Sequence, residues 1–540
     1  MRFTSRATPP TPAVLTALVL AFALPGLFNH DPWKAFDVIS IELIQQMHRT
    51  GQWLVPQLAG EAWLQTSPLY LWVGLLFAKF GLALSVPLHA MVRLASLLCL
   101  GIACVNLYRS AARSAIRPAD ATTSASAAVV LLIGCVGLMV HAHEAISDLA
   151  SLAAMSVGFA ALSRGAERPV RRGLLCAIAL AACFLGGGVV PALGLSAAIV
   201  ARSFFAPDAH DAAQRRFAFI ALLVGCALAA AWPVLLIVQT PSAFSLWSSH
   251  TFQSTHTFAS SLSYFLQVSV WFLWPAWPLA LWLLWLRRGQ WLTPGLVAPL
   301  VALVVMTLTL ILRGAHEDID LLALIAPVVL LAAQAVPHVR RGAAAALDWF
   351  GVTTFTLCAA LVWLGYIAML TGWPVKIAYN FAKIAPGFTY QFAPGPALIA
   401  ATLTIVWLLF ALRLPPAPTR SVVRWAAGIA LLWGCVALLW MPWVEHQRSY
   451  RQVAMQLGTL VTAQRTCIDA HSVGAPQRAA LSYHAGLPLR TQQTAPCLYR
   501  LDQTHPQRRQ ALAPSPWILV SELSRAGDKN EHFRLYRRQP

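Results

Sequence analysis

The sequence predicts an α-helical polytopic membrane protein of about thirteen transmembrane helices, with interfacial helices in its first outer loop and a small C-terminal α/β domain. Three observations point there. Of 540 residues, 58% are hydrophobic and 11% charged, and the mean hydropathy is +0.63, which leaves too few polar groups to clothe a soluble multidomain surface. Apolar runs recur as far as residue 442, and from Trp443 the composition turns polar. The formal charge of +19 does not read as a nucleic-acid surface, because the arginines fall in short clusters between the apolar runs. Clusters of that kind mark the cytoplasmic side of an inner membrane.

The first run, in "MRFTSRATPPTPAVLTALVLAFALPGLF", has a basic start but no small-x-small pattern before Asn29, so it reads as a retained span rather than a cleaved signal peptide. Twelve more lie near 91–108, 125–141, 149–164, 173–187, 189–206, 217–238, 263–286, 292–312, 319–337, 346–371, 395–412 and 423–442. The stretch "PLYLWVGLLFAKFGLAL" (68–84) falls short of the ~20 residues of a span and carries Lys79. Parity decides its role. If it lies flat and the N-terminus is cytoplasmic, the clusters around Arg109, Arg164, Arg202, Arg287, Arg340 and Arg413 all face the cytoplasm. If it spans, all of them turn outward. It is therefore expected as an interfacial helix, with Ser67 as N-cap and Pro68 at the first helical position.

Phe36, Ile39, Leu43 and Met47 recur at helical spacing, so 35–49 is expected to lie on the membrane with its polar face toward water. The outward side then carries the first loop (29–91), "HAHEAISD" (141–148), "RGAHEDID" (313–320), 372–394 and the tail. "GGG" at 186–188 reads as a tight turn between two spans. In the tail, the domain 443–540, "SYRQVAMQLGTLV" has helical periodicity, while "AALSYH", "WILVSE" and "FRLYRR" read as strands. Eight cysteines lie in apolar runs as small hydrophobes; Cys467 and Cys497 lie in the polar tail and would pair outside a reducing compartment.

In the first loop, Met47, Gly51, Trp53, Pro56, Gly60, Pro68, Leu69 and Trp72 fall in a known register. It resembles that of the C-type glycosyltransferases that use polyprenyl-phosphate sugars, among them the lipid A aminoarabinose transferases and protein O-mannosyltransferases. "SDLASLA" (147–153) is similar to the Asp that closes the family's second outer loop, and "VRLAS" (92–96) to its R-L-P-S. The resemblance implies a bacterial inner-membrane enzyme that moves a sugar, with inversion, from a polyprenyl-phosphate carrier to a lipid or other envelope acceptor at the periplasmic face. A monomer without an obligatory cofactor is expected, with a divalent metal left open. The departures matter as much. The family's reaction-centre Asp falls on Phe36 and its Glu neighbour on Asp37; the Lys of E-K-P-P falls on Thr66, and a later Lys on Gly187.

Such a transfer needs a base for the acceptor proton, positive charge or N–H donors for the departing phosphate, and a carboxylate near an oxocarbenium-like centre. Asp37 is the surviving base nearest the family position, Asp148 matches by motif, and Asp31 is a third choice; each has an ordinary helix-capping alternative. His141, His143 and Glu144 offer either metal ligands or plain hydrogen bonds. His316, Glu317, Asp318 and Asp320 offer sites for an amino sugar or cation, or form a solvated loop. Arg93, Arg313, Lys376 and Lys383 are the outward cations for phosphate, or else snorkelling side chains. Two other functions compete: a catalytically degenerate relative that binds polyprenyl lipid or assists a partner enzyme, and a transporter or flippase. Sparse intramembrane charge speaks against the latter.

Overall fold

The computed structural model describes residues 9–28, 30–164, 168–205, 211–254, 256–461, 467–491, 497–504 and 516–539. The helices are, in order, α1 (Pro12–Ala23), α2 (Ala35–Thr50), α3 (Pro68–Ala83), α4 (Leu88–Arg113), α5 (Ala121–Gly134), α6 (Val136–His141), α7 (Ser147–Leu162) and α8 (Pro169–Gly187). They continue with α9 (Val189–Phe204), α10 (Ala212–Gln239), α11 (Pro241–Phe252), α12 (Phe258–Phe272), α13 (Ala276–Leu286), α14 (Pro294–Arg313) and α15 (Leu322–Ala335). Last come α16 (Arg341–Thr371), α17 (Val375–Ile384), α18 (Pro394–Arg413), α19 (Arg420–Cys435), α20 (Met441–Arg448), α21 (Arg451–Val461) and α22 (Ala475–Ala485).

The chain is a multi-pass membrane protein. Among the described residues, 8 helical stretches are long and apolar enough to cross a membrane, or 9 with the bent pair α12–α13, while α1, α3, α5, α7 and α9 are apolar but shorter. Two of the expected runs are broken. Run 263–286 bends by 99° between α12 and α13, where Pro275 supplies no N–H to continue the ladder. Run 125–141 breaks at Cys135, which is extended. The turn at Gly186–Gly188 forms as expected, with Gly188 at φ +72°, a conformation that favours glycine.

The first outer loop departs from its expectation. Helix α3 starts at Pro68 as anticipated, but α2 does not show its polar face to water. Helix α22 packs over that face, and Glu42, fully buried there, accepts hydrogen bonds from Ser482 Oγ at 2.6 Å and Gln46 Nε2 at 2.8 Å. "AALSYH" is the body of α22 and not a strand. Pro476 sits in its first turn, alanines fill it, and Gly486 at φ +61° caps its C-terminus, so the local signals are helical.

A small hairpin of β1 (Gln57–Leu58) and β2 (Glu61–Ala62) lies in the first loop. The C-terminal sheet has β3 (Ile468–Asp469), β4 (Leu489–Arg490), β5 (Tyr499–Thr504), β6 (Trp517–Leu523) and β7 (His532–Arg538), in the order β4-β3-β5-β7-β6. β3 is parallel to both neighbours; the rest is antiparallel, with "WILVSE" and "FRLYRR" paired in register Leu519↔Tyr536. The expected boundary at 442/443 falls inside α20.

Cys467 and Cys497 form a disulfide that closes a separation of 30 residues, joining the starts of β3 and β5. A loop of that length is worth about 3.6 kcal/mol. Cys497→Ser should lower the unfolding free energy of the C-terminal domain by about that amount, measured on the full chain by amide hydrogen exchange of β3, β5 and β7 in urea.

Candidate active site

The main cavity has a volume of about 750 Å³ and lies where the first outer loop, the start of α7, the α8–α9 turn and the α14–α15 loop converge. Ala475 and Pro476, at the start of α22, close one side. Trp232 of α10 and Trp247 of α11 supply an aromatic wall, their rings edge to face at 5.7 Å, with His250 beside them. Aromatic faces of that kind suit the C–H faces of a sugar ring.

Asp148 is the carboxylate that the α7 start brings to the cavity. No ion pair or side-chain hydrogen bond among the described residues engages it, although its backbone carbonyl accepts from Ser151 Oγ at 2.8 Å. Arg313, the last residue of α14, is the lining cation. Glu317 and Asp320 also line the wall and hold each other in a capping box, with Glu317 N donating to Asp320 Oδ2 at 3.3 Å. Burial, then the charges of Asp320 and Asp318, raise the Glu317 carboxyl above its ordinary pKa.

The three positions at which the sequence departs from the family all face this space: Phe36, Thr66 and Gly187 line the cavity. Thr66 accepts a hydrogen bond from Trp63 Nε1 at 3.0 Å. Gly187 is crowded: a Cβ there would stand 2.8 Å from Ser151 Cβ and 2.9 Å from Pro191 Cγ.

Several predicted site residues lie elsewhere. Asp37 is 1% exposed and does not line the cavity. Its Oδ2 meets Arg93 Nη2 at 2.5 Å and its Oδ1 accepts from Ala145 N at 2.7 Å, which leaves no free face for a substrate. Arg93 is consumed by the same pair and by the His30 carbonyl at 2.9 Å, so it is not a phosphate ligand. Asp31 binds Arg451 and Ser449 Oγ, tying the first loop to the tail; despite burial, these partners hold its carboxyl below the ordinary range. His143 sits between the carbonyls of Met139 and Phe22 and stacks on Trp433 at 4.5 Å; burial pushes its imidazole down to about 4.

Glu144 pairs with Lys34 at 2.5 Å and His141 at 2.9 Å; although burial opposes it, they hold the carboxyl well below the ordinary range. His141 and His143 therefore face different partners. Among the described residues no three His, Cys, Asp or Glu side chains form a metal-holding group. Asp318 bonds His141 Nε2 at 3.4 Å, while His316 stacks on His256 at 3.7 Å beside the cavity. Lys376 and Lys383 are exposed on α17 and do not line the cavity. Sequence reasoning missed Trp232, Trp247, His250 and the α22 start, because no local pattern around them marks a cavity wall.

No family model matches the chain, and no curated protein does. Solved structures do. The crystal structure of ArnT from Cupriavidus metallidurans bound to undecaprenyl phosphate superposes with a TM-score of 0.70 at 15% identity, covering 97% of each chain. The apo state of the same protein gives 0.69 at 16% identity, again over 97% of each. An oligosaccharyltransferase, AglB from Archaeoglobus fulgidus, gives 0.47 at 9% identity over 89% of this chain and 64% of its own. Almost end to end, this chain has the fold of ArnT, the architecture that its first outer loop resembles in sequence.

Proposed function

We propose that this protein is an inverting glycosyltransferase, carrying a sugar from a polyprenyl-phosphate carrier to a lipid or other envelope acceptor at the periplasmic face of a bacterial inner membrane. The observation that carries this reading is the cavity in which Asp148 and Arg313 meet the three family positions Phe36, Thr66 and Gly187. The acceptor hydroxyl gives its proton to the Asp148 carboxylate as its oxygen bonds to the anomeric carbon. The bond from that carbon to the phosphate oxygen breaks, and the polyprenyl phosphate leaves with the electron pair. Arg313 stabilises the charge that gathers on the phosphate. On this reading the N-terminus is cytoplasmic and the C-terminal domain periplasmic, which is supported by the arginines at the ends of α4, α9, α13 and α18, helix ends that do not line the cavity.

Loss of a single charge donor of this kind costs about 100-fold in rate. Arg313→Ala should lower sugar transfer by that factor and Arg313→Lys should retain most of it. Mass spectrometry of envelope lipids and glycans from cells with and without the gene tests both, since a gene-dependent adduct of one sugar is expected. A second reading, a degenerate relative that holds polyprenyl phosphate without reaction, is favoured by the carboxylate and two cations missing from the cavity wall. Bound carrier with no gene-dependent adduct would establish it.

A further inference from the structure

A second cavity, of about 260 Å³, lies at the far end of α14. Arg313, the last residue of that helix, lines the main cavity, while Pro294, its first, lines this one. At about 1.5 Å per residue the two are roughly 30 Å apart, a hydrocarbon core's thickness, so they open at opposite membrane faces.

Its polar wall is basic. Arg113, closing α4, and Arg287, just past α13, both line it, and no carboxylate does among the described residues. Arg109 and Arg164 lie near enough to Arg113 to add to its field. Arg287 gives Nη1 to Gln290 Oε1 at 3.1 Å, but its Nε is buried without a partner. A buried donor in that state calls for an acceptor. Thr293 lines the same space with its side chain making no capping bond. Gly295 closes the floor: a Cβ there would stand 2.7 Å from the Ser114 carbonyl oxygen.

The segment that carries Arg287 and Gln290 also exposes large apolar side chains. Trp285, Trp291 and Leu292 are each about half exposed, and the Arg288 guanidinium lies 5.2 Å over the Trp285 ring. Tryptophans in that setting mark the headgroup level of a bilayer. A basic pocket on a segment with exposed apolar side chains matches a ligand whose anionic head is attached to acyl chains.

We propose that Arg113 and Arg287 bind the phosphate of an acidic phospholipid headgroup, in a site separate from the sugar-transfer cavity. Free phosphate has the same chemistry and is the other source to be distinguished. The test uses the full chain, delipidated in detergent, titrated separately with phosphatidylglycerol, phosphatidylcholine and inorganic phosphate, and read by native mass spectrometry and thermal shift. Wild type should bind phosphatidylglycerol about tenfold more tightly than the R113Q/R287Q double variant, and R113K/R287K should keep most of the binding. Phosphatidylcholine should bind weakly to all three. Stabilisation by inorganic phosphate alone, lost in R113Q/R287Q, would support the site and identify free phosphate as its ligand. Equal phosphatidylglycerol binding by wild type and a monodisperse R113Q/R287Q protein would overturn the proposal. So would equal binding by R113K/R287K and R113Q/R287Q, a comparison that holds even if both are less stable than wild type.

Discussion

Asp148→Asn is expected to reduce sugar transfer by about 1,000-fold, the middle of the range for removal of a general base, while the protein stays folded. The amide has nearly the same volume and breaks no ion pair, since none holds Asp148 among the described residues. The measurement pairs the gene-dependent sugar adduct, read by mass spectrometry, with the melting temperature of the purified variant. Loss of the adduct at an unchanged melting temperature supports Asp148 as the base. An unchanged adduct would remove it from the mechanism.

Asp37→Ala should fail for the opposite reason. It leaves the fully buried Arg93 guanidinium without its carboxylate and Ala145 N without its acceptor. Removing one partner of a buried pair costs about 3–5 kcal/mol, because the stranded charge has no water to turn to. The variant should accumulate poorly and melt far below wild type, whether or not carrier is added. A normal melting temperature with lost transfer would instead return Asp37 to the reaction itself. Asp37 lies in α2 and Asp148 in the first turn of α7, so comparing their variants separates a residue that builds the site from one that works in it.

What the sequence revealed depended on the range of the forces involved. Apolar runs, the Gly188 turn and the strands of β6 and β7 follow from local pattern, and all three appear in the structure. Phe36 and Thr66, taken from the loop register, and Gly187, taken from "FLGGGVVP", all line one cavity. Asp37 misled because its partner, Arg93, is 56 residues away, and no local signal shows that a polar face will be covered. The same limit hid α22. The helix covers Glu42 from 440 positions along the chain, and its β-like "SYH" outweighed Pro476 and Gly486 in a purely local reading. His143 read as either a ligand or a plain hydrogen-bonder in a polar loop; only the tertiary packing shows both ring nitrogens against carbonyls.

The crowding at Gly187 limits what that position can hold. A lysine would fit there only if Ser151 and Pro191 moved aside as well. The constraint belongs to the packing of the α8–α9 turn on α7 and not to one side chain. With this backbone, positive charge in the cavity comes from another helix: Arg313, at the end of α14, is the arginine among the described residues that line it.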